Sequence, residues 1–208
     1  FTVPVMVSLG LPLWASVFCA ILVCAVVGMS TELVAYRPVR KKGTSMTALI
    51  TAIAVSLLLE NLAQAIPQIG PNPKVANQIF NLGGIQIENV TLDWTTVLTI
   101  GISVVVMIAL YQFTQKTRIG RAMRCVSEDK PASILMGINV NRTIVTTFAI
   151  GSSLAAIAAL MYIAQYPKVY TTMGALLGLK AFVAAVLGGI GIIPGAMLGG
   201  FVIGLVES

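Results

Sequence analysis

The sequence predicts an all-α, polytopic transmembrane helix bundle, with about six membrane-spanning segments of which the last two are short and glycine-rich. Three observations carry that prediction. Of 208 residues, 57% are apolar and only 10% charged, against about 45–50% and about 25% in soluble domains, and mean hydropathy is +0.94. The apolar residues gather into runs long enough to cross ~30 Å of hydrocarbon at ~1.5 Å per residue. The basic residues collect in alternate connections between those runs. A water-soluble enzyme is thereby excluded. The chain also contains no His, which removes Ser-His triads and His-ligated metal sites, so neither a catalytic residue nor a metal is expected. Cys19, Cys24 and Cys125 are too few and too scattered for a disulfide framework, and the first two lie in an apolar run as small hydrophobes.

Four spans are clear in chain order, over 11–30, 46–66, 94–113 and 143–164. Residues 173–206 are apolar throughout but interrupted by Gly191 and Pro194, which divides them into two shorter helices. Arg37, Arg40, Lys41 and Lys42 follow the first span, and Lys116, Arg118, Arg121, Arg124, Lys130 and Arg142 follow the third. Connections of the opposite parity hold only Lys74 and Lys168. This asymmetry places the 31–45 and 114–142 loops in the cytoplasm. The chain starts with Phe1 and stops inside an apolar stretch at Ser208, so it reads as incomplete at both ends.

The external loop 67–93 carries Pro67, Pro71 and Pro73, then Gly83 and Gly84, then alternating Ile85, Ile87, Val90 and Leu92 around Glu88 and Asn89. That alternation predicts a small hairpin. In the last third, Gly174 and Gly178, Gly195 and Gly199, and Gly200 and Gly204 have the small-xxx-small spacing that lets helix backbones approach closely in lipid. The cluster of Gly188, Gly189 and Gly191 marks either an interrupted helix lining an aqueous path or simple close packing.

Two ionisable residues, Glu60 and Lys180, fall inside spans. A charge at mid-membrane costs at least ~2.5 kcal/mol, so function is the first reading. Both lie roughly 10 Å from the external ends of their helices, which makes a shared polar cavity with Asn61, and Gln64 one turn on, a candidate substrate path. The rival reading has Lys180 snorkelling to the headgroups and Glu60 protonated against a neighbouring helix. Within 114–142, a short helix is expected over 131–136: Pro131 suits a first helical position, Glu128 and Asp129 complement its dipole, and Gly137 suits the residue just past its end. Exposed Ile134, Leu135 and Met136 fit a docking peg for another protein's groove or an interfacial helix lying on lipid.

The string T-R-I-G-R-A-M-R-C-V-S-E-D-K-P-A-S-I-L-M-G-I-N from Thr117 to Asn139 resembles the cytoplasmic loop of permease subunits of branched-chain amino acid ABC importers. So do E-L-V-A-Y-R-P-V-R from Glu32, L-I-T-A-I-A-V-S-L-L-L-E-N-L from Leu49, and G-L-K-A-F-V-A-A-V-L-G-G-I-G-I-I-P-G-A-M-L-G-G from Gly178. The last is similar to the LivH-type subunit. The resemblance implies a single permease domain over 1–208 that works with a second related permease, ABC ATPase subunits and an extracytoplasmic substrate-binding protein, surrounded by lipid and with no nucleic acid partner. It also implies that Glu128, Asp129, Ala132, Leu135 and Gly137 belong to the coupling helix that sits in a cleft of the ATPase. Pro131, Ser133 and Glu60 depart from the family's pattern, in which acidic, Ala and Gln residues are more usual. Relatives have about two further helices before residue 1 and at least one after residue 208.

The chain has no Walker-type G-x-x-x-x-G-K-S/T, so no cofactor is expected in it, and ATP and Mg fall to partner subunits. The expected function is alternating-access import of Leu, Ile or Val in a bacterial cell membrane, with urea or a short amide as alternatives within the family. A stand-alone ion-coupled carrier using Glu60 and Lys180, or a membrane scaffold, are the readings from other classes.

Overall fold

The computed structural model describes residues 12–42, 45–65, 74–75, 84–87, 90–166, 168–189 and 191–207. The expected prolines and Gly83 of the external loop, the hairpin tip Glu88 and Asn89, and the start of the first span lie outside the described residues. Helix α1 (Leu13–Thr31) runs through a π-helical turn (Glu32–Tyr36) into α2 (Arg37–Lys42), and α3 (Ser45–Ala65) follows. Then come α4 (Trp94–Lys116), α5 (Arg118–Glu128), α6 (Lys130–Leu135), α7 (Val140–Gln165), α8 (Met173–Leu187) and α9 (Ile193–Glu207). Among the described residues four short strands accompany them: β1 (Lys74–Val75), β2 (Gly84–Ile87), β3 (Val90–Asp93) and β4 (Lys168–Val169).

Among the described residues, three helical stretches are long and apolar enough to cross a membrane, Trp14–Arg40, Trp94–Lys116 and Val140–Gln165. Ile50–Ala65, Met173–Leu187 and Ile193–Glu207 are shorter apolar helices. The all-α membrane fold is therefore present, with its last two helices at 15 residues each. Large apolar side chains lie exposed along five of these six stretches, Trp14, Phe18, Leu58, Val105, Phe182 and Phe201 among others, while Val140–Gln165 exposes only small or polar side chains. A soluble domain would bury such groups; a lipid-facing helix has no reason to.

The structure differs from the sequence reading in two connections. Residues 31–42 are helical, whereas a loop was expected, because nothing before Pro38 stops the helix. Pro38 has no amide to give the Val34 carbonyl, and its ring crowds that oxygen. The preceding turn is widened, with the Arg37 amide donating to the Glu32 carbonyl five residues back. Residues 118–128 form a second unforeseen helix, α5. Thr117 starts it, its Oγ1 accepting from the Gly120 amide at 3.0 Å. Gly120 is required by proximity, since a Cβ there would overlap the Phe113 and Thr114 backbone.

The chain forms two compact units, Phe1–Asn81 with Ala122–Thr171, and Leu82–Arg121 with Thr172–Ser208. In the first, α1 and its continuation lie antiparallel along α7. A Cβ on Gly28 would overlap Ser152, the Tyr36 and Phe148 rings sit 5.1 Å apart, and Arg40 Nη2 donates to Asn141 Oδ1 at 3.1 Å. Small side chains fill the seam: Ser16 and Ala20 are buried on α1, and Ala156 on α7. Hydroxyls within these helices turn back on their own backbone, as Ser30 does to Val26, Thr31 to Val27 and Ser152 to Phe148. In hydrocarbon that is the available way to satisfy them. Strands β1 and β4 pair antiparallel, Lys74 opposite Val169 and Val75 opposite Lys168.

In the second unit the expected hairpin is present, β2 and β3 pairing Gly84 with Asp93, Ile85 with Leu92, Gln86 with Thr91 and Ile87 with Val90. It leads directly into α4. Helices α8 and α9 form an antiparallel pair that meets on glycine: a Cβ on Gly188 would overlap the Gly195 carbonyl, and one on Gly199 the Ala184 carbonyl. The turn between them holds Gly189 at φ 90° and Gly191 at φ 97°, a region other residues occupy only under strain. Of the other spaced glycines, Gly174, Gly178 and Gly204 have nothing within 4 Å of a Cβ position, so they are not the contact.

Candidate functional site

The segment 128–141 is held by a run of backbone and side-chain hydrogen bonds. Glu128 closes α5, and Asp129 leaves the helical region at φ −145° and ψ 110°. From there its Oδ1 accepts the Ala132 amide at 3.2 Å, which caps α6. Lys130 and Pro131 occupy the first turn, where a missing amide costs nothing. Ser133 is buried, and its Oγ donates to the Asp129 carbonyl at 2.7 Å. The helix ends on a left-handed turn: Gly137 has φ 78°, its amide donates to Ile134 O, and the Ile138 amide donates to Ser133 O at 3.0 Å. Asn139 then caps α7 by accepting the Arg142 amide at 3.1 Å.

This tightly tied turn presents its apolar side outward. Ile134 is 63% exposed, Leu135 89% and Met136 84%. Glu128, Asp129 and Ala132 are exposed beside them. The five residues expected to dock on an ATPase are all exposed and fall within 128–137, from the end of α5 to the turn that closes α6. A six-residue helix with two bare apolar side chains, followed by a third at its C-cap Met136, is stable here because both its ends are capped and because Ser133 anchors it inward.

The candidate path residues are placed as follows. Glu60 is half-buried and Asn61 exposed on α3, the Asn61 Nδ2 donating to the Leu57 carbonyl at 2.7 Å. Lys180 Nζ forms an ion pair with Glu207. Glu207 was missed in the sequence, although an acidic residue ending an apolar run 27 positions after a lone lysine was the available signal. Among the described residues, no group of His, Cys, Asp or Glu could hold a metal.

Three more residues went unrecognised. Glu32 is completely buried, with its Oε1 2.8 Å from Arg40 Nη1. Arg40 in turn reaches Asn141, in the first turn of α7. The signal in the sequence was a single carboxylate leading into a cluster of cations.

The model of the family described as "Branched-chain amino acid transport system / permease component" matches residues 1–208. The chain belongs to that family. It is 40% identical over 209 residues to the high-affinity branched-chain amino acid transport system permease protein BraD of Pseudomonas aeruginosa, covering 97% of this chain and 66% of the relative. It is 38% identical over 193 residues to the corresponding LivH protein of Escherichia coli, covering 91% and 62%. The chain thus spans just under two thirds of these relatives' lengths. A more distant similarity, 30% over 138 residues, links 63% of the chain to 36% of the fructose import permease protein FruG of Bifidobacterium longum. No solved structure matches the chain.

Proposed function

We propose that this protein is the permease subunit of an ABC importer that moves branched-chain amino acids across a bacterial inner membrane by alternating access. Residues 1–208 act as one permease domain. The chain contributes no ATP or Mg site of its own. ABC ATPase subunits supply the energy, a second related permease completes the path, and an extracytoplasmic binding protein delivers the solute. The observation that carries the reading is the Asp129-capped helix with Leu135 at 89% exposure in a chain that matches a permease family along its whole length. A capped, inwardly anchored helix keeps its shape when a partner pushes on it, which is what force transmission requires. Glu128, Asp129, Ala132, Leu135 and Gly137 form the dock, while Glu60, Asn61 and Lys180 border the solute's route.

The reading is tested by purifying the full-length protein with its partners. Leu135→Asp places a charge at the centre of the dock and should remove ATPase subunits from the purified complex and reduce leucine uptake at least tenfold. Retention of both in that variant overturns the docking assignment. Uptake of urea or a short amide in preference to leucine overturns the solute.

A further inference from the structure

An isolated carboxylate inside an apolar helix is expensive, and a fully buried one is tolerated when a cation and further hydrogen bonds accompany it. Glu32 has the cation but not the hydrogen bonds: it is completely buried, with Arg40 Nη1 2.8 Å from its Oε1 and, among the described residues, no hydrogen bond to either carboxylate oxygen. The π turn is what brings the two together. On a regular α-helix, residues 32 and 40 would point about 80° apart; one residue absorbed into a widened turn reduces that to about 20°. The guanidinium then has a second nitrogen left over, and Nη2 donates to Asn141 Oδ1 at 3.1 Å. Asn141 stands two residues after the Asn139 cap, and the Ser133–Ile138 hydrogen bond ties that cap to the projecting helix α6.

We infer that Glu32, Arg40 and Asn141 form a mechanical link that passes displacement of α6 into the long first helix, making them positioning residues for transport. The inference rests on the proposed docking function of α6. Displacement of α6 moves the start of α7, Asn141 pulls on the Arg40 guanidinium, and Arg40 is held to a carboxylate that has no other place to go. The compliant point is the π turn between Glu32 and Tyr36, where one helical register has already been given up. The planar, two-pronged guanidinium suits this task, since it binds a carboxylate and an amide oxygen at once in fixed geometry.

The test uses the assembled full-length transporter in proteoliposomes, with radiolabelled leucine uptake and ATP hydrolysis measured together. Asn141→Ala leaves the buried ion pair intact and removes an exposed contact, so the variant should assemble with ATPase subunits in normal amount. It should hydrolyse ATP within twofold of the unaltered complex while importing at least tenfold less leucine per ATP. Asn141→Asp keeps an oxygen acceptor facing Arg40 and should recover at least half of the coupling. Arg40→Met should reproduce the uncoupling without such a rescue. Unchanged leucine per ATP in Asn141→Ala overturns the link, as does an equal loss in Asn141→Asp, which would mark Asn141 as a purely structural residue. If the unaltered chain purifies without ATPase subunits, it is the docking function beneath the inference that fails.

Discussion

Single atoms decide the closest approaches in this protein. Gly199 admits the Ala184 carbonyl where a Cβ would overlap it, so Gly199→Ala forces two helix backbones apart at an estimated cost of about 1–3 kcal/mol, the range for overpacked sites. Gly204→Ala, five residues further along the same helix, has nothing within 4 Å to meet and should leave stability unchanged or raise it by up to ~1 kcal/mol through helix propensity. Thermal unfolding of the two variants in detergent measures the difference, and equal midpoints would contradict the observed crossing. The regular spacing of glycines in residues 174–204 was visible in the sequence, but spacing marks every small residue on a face alike. Which pair makes the contact depends on where the second helix crosses. That crossing is set by the turn at Gly189 and Gly191, and the left-handed conformations there carry no periodic signature.

Among the elements, α6 has the simplest cause and the sharpest consequence. Asp129 supplies one acceptor to an otherwise unpaired amide, and removing it as Asp129→Ala should cost about 1 kcal/mol of local helix stability. Hydrogen exchange of the Ala132 and Ser133 amides should then quicken roughly fivefold, by the same ~1 kcal/mol; no change would mean that the buried Ser133 alone holds the turn. This helix was legible in advance because Asp129, Pro131 and Gly137 are each local signals with a defined position relative to a helix end. The continuation of α1 through the π turn was not legible. Basic residues marked a water boundary, and a boundary in polarity does not require a break in the backbone. Helix α5 went unread for a related reason: its start depends on Thr117 turning its hydroxyl to Gly120, a contact that only folding discloses.

At the scale of the whole molecule, the apolar runs, their lengths and the uneven distribution of cations made the helical membrane fold readable from composition and order alone. The route of the solute was not readable, because path residues are chosen by how helices assemble and not by local pattern. The proposed orientation yields a direct check. Cys125 is exposed on α5, whereas Cys19 and Cys24 sit half-buried within α1. A membrane-impermeant maleimide should therefore label Cys125 from the cytoplasmic side at least tenfold faster than from the outside, and label α1 scarcely at all. Faster labelling from the outside would invert the topology. The buried Glu32 has a consequence of another kind, concerning biogenesis. Its counter-ion Arg40 sits on the same unbroken helix two turns away, so the insertion machinery receives a segment whose negative charge is already neutralised in cis. Helix α1 can therefore enter hydrocarbon with its own counter-ion, before any later helix exists to shelter the carboxylate.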